Sequence, residues 1–330
     1  MSQPLVAAVL IVKDEAAMLP ACLASLARVV DEIVVHDTGS TDGTDELAAG
    51  LGATVTRGAW TGDFAAARNA AAAAARADWV LALDADHRVT ADPVALRARL
   101  TGTDADAFRI QVDDAHYASP YRQPETRLYR PAALSWTGRV HERLVPAAAR
   151  GELPASVVRL QHLGHHNRPE LLRRAERNLE LGRVMLDELA RGSDREAIAR
   201  TMLALGRDCV AAESWQQAAD TFETLRDLFP GSAEWTQATD CLARLVLARG
   251  YDKICLVLVG QLRDAGAPEP YCDWLEAQAL AHLGGSDEAA RLLAGVTEVV
   301  DTAGRRRDPA ALLEMKALVG RLRSLTVADR

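Results

Sequence analysis

Over about the first 90 residues, short apolar runs alternate with stretches of helical spacing. Strands are expected at 6–12 (VAAVLIV), 32–37 (EIVVHD), 53–57 (ATVTR) and 79–84 (WVLALD), with helices between them at 15–28, 43–51 and 63–76. This βαβα rhythm implies a mainly parallel central sheet covered on both faces. Beyond residue 100 the candidate strands become shorter and more polar, at 108–112, 126–131, 139–145 and 157–163. From Pro169 helical periodicity runs nearly to the C-terminus, broken by turn signals at 230–232, 266–270 and 284–286. The expected organisation is an α/β domain over 1–168 followed by an all-α domain over 169–330.

Within the helical half, the segment 198–231 can be laid against the 34-residue tetratricopeptide (TPR) pattern. Gly206, Ala218, Phe222 and Pro230 fall at its offsets. The small residues let two helices approach, Phe222 fills the gap between them, and Pro230 ends the second. The segments 233–265 and 271–300 have the size of helix pairs but match the pattern poorly, so an irregular bundle is the alternative.

Composition narrows the partners. The chain carries 38 basic and 46 acidic side chains, a net charge of -8, so its overall field repels nucleic acid. Five scattered cysteines with no metal-ligand spacing read as reduced core thiols, which fits a cytoplasmic protein. The apolar run Leu5 to Val12 lacks a basic leader and is too short to span a membrane, so neither a signal peptide nor a transmembrane segment is expected.

Chemistry concentrates at the ends of the expected strands. In WVLALDADHRV (79–89) a buried strand runs into Asp84 and Asp86, which point to the same side of an extended chain and can share a cation. Hard divalent ions take oxygen ligands and keep positions for phosphate, so this pair suggests a metal–diphosphate clamp; the plain alternative is a turn rich in Asp. Asp37 ends another strand in EIVVHDTGSTDGT, and ligands of parallel sheets bind outside the carboxyl ends of the strands. The plain reading there is that Ser40 or Thr41 caps the following helix. A glycine-rich dinucleotide fingerprint is absent, which counts against a nicotinamide enzyme.

The blocks VLIVKDEAAMLPACLASL (9–26), DEIVVHDTGSTDGT (31–44), WTGDFAAARN (60–69), DWVLALDAD (78–86), WTGRVHE (136–142) and HLGH (162–165) together resemble a family 2 glycosyltransferase of the GT-A fold, in the subgroup with a TPR-like helical tail. The resemblance implies that Asp37 contacts the base of a nucleotide-sugar and that Arg68 helps hold the nucleotide. It implies that Asp84 and Asp86 bind ribose and metal, with Val12 and Ala85 in the same donor-binding set. It implies a divalent cofactor, Mg²⁺ or Mn²⁺, on Asp86 and His162, with His165 the next candidate after His162. Phe64, one helical turn before Arg68, is expected to bury while Arg68 reaches the cleft.

Two positions depart from the family pattern. Asp14 stands where Asn is frequent, and His87 where an acidic residue often follows the metal motif; His87 could join the metal, contact phosphate or face solvent. On a strand, His141 and Glu142 would face opposite sides, so one of them enters the cleft. Glu142 is the expected catalytic base, Asp113 and Asp114 are its rivals, and the plain alternative pairs Glu142 with Arg139 or Arg143.

The expected function is transfer of a hexose, with inversion, from a nucleotide-diphosphate sugar, uridine before guanosine or thymidine, to a peptide, saccharide or natural-product acceptor. The helical tail is expected to present the acceptor or to pair subunits in a homodimer. A catalytically silent scaffold binding a peptide partner is the rival from another class. A nucleotidyltransferase is disfavoured because VLIVKDEA lacks a Gly- and Arg/Lys-rich phosphate loop.

Overall fold

The computed structural model describes residues 5–114, 122–146, 150–164 and 167–328. The chain divides into two compact units, Met1–His166 and Asn167–Arg330. The first unit begins with β1 (Val6–Val12), α1 (Leu19–Ser25), β2 (Glu32–Asp37), α2 (Thr44–Gly50), β3 (Thr54–Arg57), α3 (Phe64–Ala73) and β4 (Trp79–Leu83). It continues with β5 (His87–Ala91), α4 (Pro93–Leu100), β6 (Ala107–Asp114), β7 (Arg122–Tyr129), β8 (Ser135–Thr137), β9 (Arg143–Val145), β10 (Arg150–Glu152) and β11 (Val158–His162).

The main sheet runs β3-β2-β1-β4-β7-β6-β11-β5, with β10 beside β6. The four strands β3, β2, β1 and β4 are parallel. β7 is antiparallel to both β4 and β6, and β11 is parallel to β6 but antiparallel to β5. The continuous apolar run of β1 has a direct cause. Val6, Ala8, Leu10 and Val12 enter the core shared with Leu19 and Leu23 of α1 and Leu96 and Leu100 of α4. Ala7 and Val9 face the other way, toward Ala65 and Ala71 of α3 and Trp136 of β8. A strand buried on both sides has no polar face to alternate, and each buried Val or Leu contributes about 1.5–3 kcal/mol.

Several boundaries differ from those expected. The helix expected over 15–28 contracts to α1, which starts beside Pro20 in its first turn; ahead of it Asp14 adopts a left-handed φ of 55°. β5 and α4 follow the paired aspartates with no break long enough to be noticed in the sequence. Asp92 caps α4, its Oδ1 accepting from the amides of Val94 and Ala95 at 3.0 Å each. The strand expected over 139–145 is instead the end of an antiparallel hairpin, β8 with β9, whose connection holds Gly138 at φ 104° and His141 at φ 52°. A left-handed residue cannot continue a strand, so the pleat stops there.

The elements of the second unit are the helices α5 (Arg168–Leu189), α6 (Arg195–Ala211), α7 (Trp215–Leu228), α8 (Ala233–Ala248), α9 (Asp252–Asp264), α10 (Glu269–His282), α11 (Ser286–Ala294) and α12 (Pro309–Ala328), with one β-bridge, Val300 to Arg306, between the last two. Each helix packs on the next, and α8 also touches α6 and α10, the contact order of stacked helix pairs. At the α6–α7 crossing, Ala218 and Phe222 are fully buried, and a Cβ on Gly206 would overlap the Phe222 ring. Gly206 is therefore glycine because an aromatic ring occupies the place of its side chain. No helix among the described residues is long and apolar enough to cross a membrane.

Candidate active site

The parallel strands β1, β2 and β4 end along one edge, where the order reverses about β1, and candidate side chains collect there. Asp37 closes β2 in register with Val12 of β1. Its Oδ1 accepts from the amides of Gly39 and Ser40, each at 2.8 Å, while its Oδ2 is buried with no partner. The Val12 carbonyl accepts from both the amide and the hydroxyl of Thr38, at 3.0 Å each. Ser40 and Thr41 do not cap α2. Ser40 Oγ accepts from the Asp14 amide at 2.9 Å, and Asp14 Oδ1 accepts from the Thr41 amide at 2.7 Å. Asp14 thus latches the loop after β1 to the loop after β2, and its short side chain tolerates the left-handed backbone it needs there.

Asp84 follows β4 and sits between two guanidinium groups. Arg68 Nη2 donates to its Oδ1 at 2.9 Å, and Arg127 Nη1 to its Oδ2 at 3.2 Å. Arg68 also donates through Nε to Glu142 Oε1 at 2.6 Å, and Arg127 through Nε to Glu125 Oε2 at 2.9 Å. Glu142, Arg68, Asp84, Arg127 and Glu125 form one alternating chain of charges. Burial alone would raise the pKa of Asp84, but Arg68 and Arg127 outweigh it and hold the carboxyl well below its ordinary value. Burial would likewise lower Arg68, and Asp84 and Glu142 reverse that, so the guanidinium stays charged although Arg68 is only 8% exposed. Phe64 is half-buried against Trp60, so of the two residues on that face of α3 it is Arg68 that is more enclosed.

His87 is 2% exposed, which removes the solvent-facing alternative. Its Nδ1 accepts from the Asp84 amide at 2.9 Å. Because an amide can only donate, the ring proton lies on Nε2. His87, Asp84 and Asp86 lie close enough to form a ligand cluster, yet with one ring nitrogen accepting and the other protonated the imidazole has no lone pair for a cation. Burial also lowers its pKa, so the ring is neutral and serves to fix the Asp84 main chain. The Ala85 carbonyl accepts from Arg88 Nη1 at 3.0 Å, and Ala85 is buried.

Asp86 Oδ2 lies 3.2 Å from His162 Nε2, at the end of β11, whose register sets His162 opposite His87. Burial would raise the pKa of Asp86, and the bond to His162 brings it below its ordinary value instead. Asp86 Oδ1 is buried with no partner. A Cβ on Gly164 would lie 2.6 Å from His162 Nε2 and 2.9 Å from Asp86 Oδ2, so glycine keeps this corner open. A carboxylate oxygen without a donor, an imidazole beside it and a cradle cleared of side chain fit a divalent cation. His165 and His166, like the side chain of Asp114, lie outside the described residues.

A cavity of about 470 Å³ lies beside this group, lined by Arg68, Glu125, Arg127, Trp136, His141 and Glu142 among others. His141 and Glu142 precede β9 rather than lying on a strand, so both line the cavity, contrary to the alternation expected for a continuous strand. The ion-pair partner of Glu142 is Arg68, not Arg139 or Arg143. Asp113 accepts from Gln111 Nε2 at 2.6 Å on β6 and does not line this cavity. Sequence reasoning passed over Arg127: β7 (RQPETRLY) is polar along most of its length, so one more basic residue there carries no signal, and its partner Asp84 follows a different strand.

Residues 7–136 match the sequence model of glycosyl transferase family 2. The match includes Val12, Asp37, Arg68, Asp84, Ala85, Asp86 and Arg127, and ends before Glu142 and His162. Among curated proteins, a TPR repeat-containing protein of Synechococcus elongatus is 41% identical over 132 residues, 37% of this chain and 33% of that protein. An uncharacterized glycosyltransferase of Rickettsia felis is 35% identical over 85 residues, 26% of this chain and 30% of its own length. The chain therefore spans about a third of the curated relatives it matches. Among solved structures, S. aureus TarS 1-349 in complex with UDP overlays with a TM-score of 0.45 at 14% identity, covering 85% of this chain and 92% of that one. Glucosyl-3-phosphoglycerate synthase from Mycobacterium tuberculosis, in complex with Mn²⁺ and UDP-glucose, gives 0.38 at 18% identity over 57% and 79% of the two chains.

Proposed function

We propose that the protein is a metal-dependent, inverting glycosyltransferase that moves a hexose from a nucleotide-diphosphate sugar, uridine-linked by expectation, to a peptide, saccharide or natural-product acceptor. One observation carries this reading. Among the described residues of the first unit, the two buried side-chain polar atoms without a partner are Asp37 Oδ2, at the end of β2, and Asp86 Oδ1, in the turn after β4, the two strands that flank β1. Buried polar groups are nearly always satisfied, so two orphaned oxygens at one sheet edge ask for ligands: a base N–H at Asp37 and a cation at Asp86.

The charges support the same reading. Asp84, Glu125 and Glu142 against Arg68 and Arg127 leave one negative charge, and Asp86 makes it two, the balance a divalent ion neutralises. Asp86 and His162 would hold the cation, and a bound divalent ion would supply Lewis-acid stabilisation of the departing diphosphate. The chain's own residues do the rest. Asp37 orients the base, and the guanidinium of Arg68 fixes Glu142 through Oε1. Glu142 Oε2 then accepts the proton of the acceptor group while that group's lone pair forms the bond to the anomeric carbon. The anomeric C–O bond breaks with its electron pair going to the diphosphate, which inverts the centre. A positioned base of this kind contributes about 10²–10⁴-fold in rate.

Calorimetry against uridine, guanosine and thymidine diphosphates and their sugars, with Mn²⁺ or Mg²⁺ and then with chelator, tests the reading. Binding of one nucleotide series that collapses on chelation is expected. Binding indifferent to metal would favour the silent scaffold.

A further inference from the structure

The alternating charge chain includes two residues outside the blocks that carry the family resemblance, Arg127 and its partner Glu125. Arg127 lies on β7, one position beyond the Leu81–Leu128 pair that joins β7 to β4, and so reaches the tip of β4 from the neighbouring strand. Two of its nitrogens are committed, Nη1 to Asp84 and Nε to Glu125, which leaves Nη2. Arg68 is arranged in the same way, with Nε and Nη2 committed, which leaves Nη1. Both line the cavity of about 470 Å³.

A guanidinium is planar, so two fixed N–H groups set the direction of the rest. Asp84 accepts from both arginines at once, one on each oxygen, and therefore also sets their spacing. Such a pair, already ordered by its carboxylates, loses little freedom on meeting an anion, and guanidinium–phosphate bonds are short, charge-assisted and often bidentate.

We propose that Arg127 is a donor-binding residue that works with Arg68 as a two-guanidinium cradle for the diphosphate, with Asp84 as the spacer between them. The proposal rests on the nucleotide-sugar reading above. In it, the leaving diphosphate meets fixed N–H donors from Arg68 and Arg127. A purely structural Arg127 would instead neutralise Asp84 and do nothing that distinguishes one nucleotide from another.

The test is calorimetry on the full chain, with and without Mn²⁺, using the pairs UDP and UMP, GDP and GMP, and TDP and TMP. Wild type, Arg127→Gln and Arg127→Lys are compared. For the nucleoside series that wild type binds, Arg127→Gln is expected to weaken the diphosphate about tenfold or more, with the monophosphate changed by less than about twofold. Arg127→Lys keeps the charge but loses the planar fork and should fall between, which preserves the test if the glutamine variant fails to fold. Equal weakening of both nucleotides, or of neither, would overturn the cradle. Wild type binding no nucleotide would overturn the glycosyltransferase reading itself, and the two failures appear in different proteins.

Discussion

Leaving a buried polar oxygen without a partner costs about 1–3 kcal/mol, and Asp86 carries that cost in the absence of a ligand. Asp86→Ala removes that cost together with the contact of Oδ2 to His162, so the melting temperature of the metal-free protein should change little, while metal-dependent donor hydrolysis and transfer are abolished. Thermal unfolding beside a donor-hydrolysis assay checks both halves, and full activity in the variant would reject the clamp. Gly164→Ala puts a methyl group against His162 Nε2 and Asp86 Oδ2, and is expected to weaken Mn²⁺ binding about tenfold or more by calorimetry. Unchanged affinity would mean that the cation does not sit in that corner. Asp84 and Asp86 were legible in the sequence because two charges at the end of an apolar run need a reason. The lone-pair bookkeeping of His87 was not, because it depends on which main-chain amide its ring meets.

At the scale of elements, α3 shows how a local signal places a functional group. Asp63 caps the helix by accepting from the Ala66 amide at 2.8 Å, and that start sets the turn on which Arg68 faces the cleft. In the second unit, the α6–α7 crossing depends on a missing side chain. Gly206→Ala forces the Phe222 ring to move and should destabilise that unit by about 1–3 kcal/mol, less whatever alanine gains in helix propensity. Urea unfolding followed by the tail's tryptophan fluorescence measures it, and a neutral result would show that the crossing relaxes freely. The strand and helix periods identified β1, β2, β4 and α3 because each is long or apolar on a regular spacing. They missed β5 and misread 139–145, where side-chain pattern is shorter than the backbone event, a left-handed residue, that decides the chain's direction.

At the scale of the whole molecule, each unit has its own apolar core. Removing residues from about 170 onward is expected to cost acceptor use more than donor binding, with nucleotide calorimetry and transfer assays as the two readouts; equal loss would contradict that division. The stability of the first unit should also depend on pH through His36. Burial lowers its pKa, against a smaller opposing pull from Asp37, so the unfolded chain takes up the proton near pH 6.5 before the folded one does. Stability contributed by the neutral ring is present above that pH and is lost as pH falls below it. Urea titrations at pH 7 and pH 5.5 should show the loss, and His36→Gln should reduce it, the buried His87 supplying the remainder. The sequence alone determined the α/β class of the first unit, the acidic residues at its strand ends and the helical periodicity of the second, because these follow from hydrophobic spacing and from the placement of charge. Only the tertiary structure decided which partners those charges take. Arg127 meets Asp84, Glu142 meets Arg68 and His162 meets Asp86 across strands far apart in the chain, and no local pattern encodes the register that brings them together.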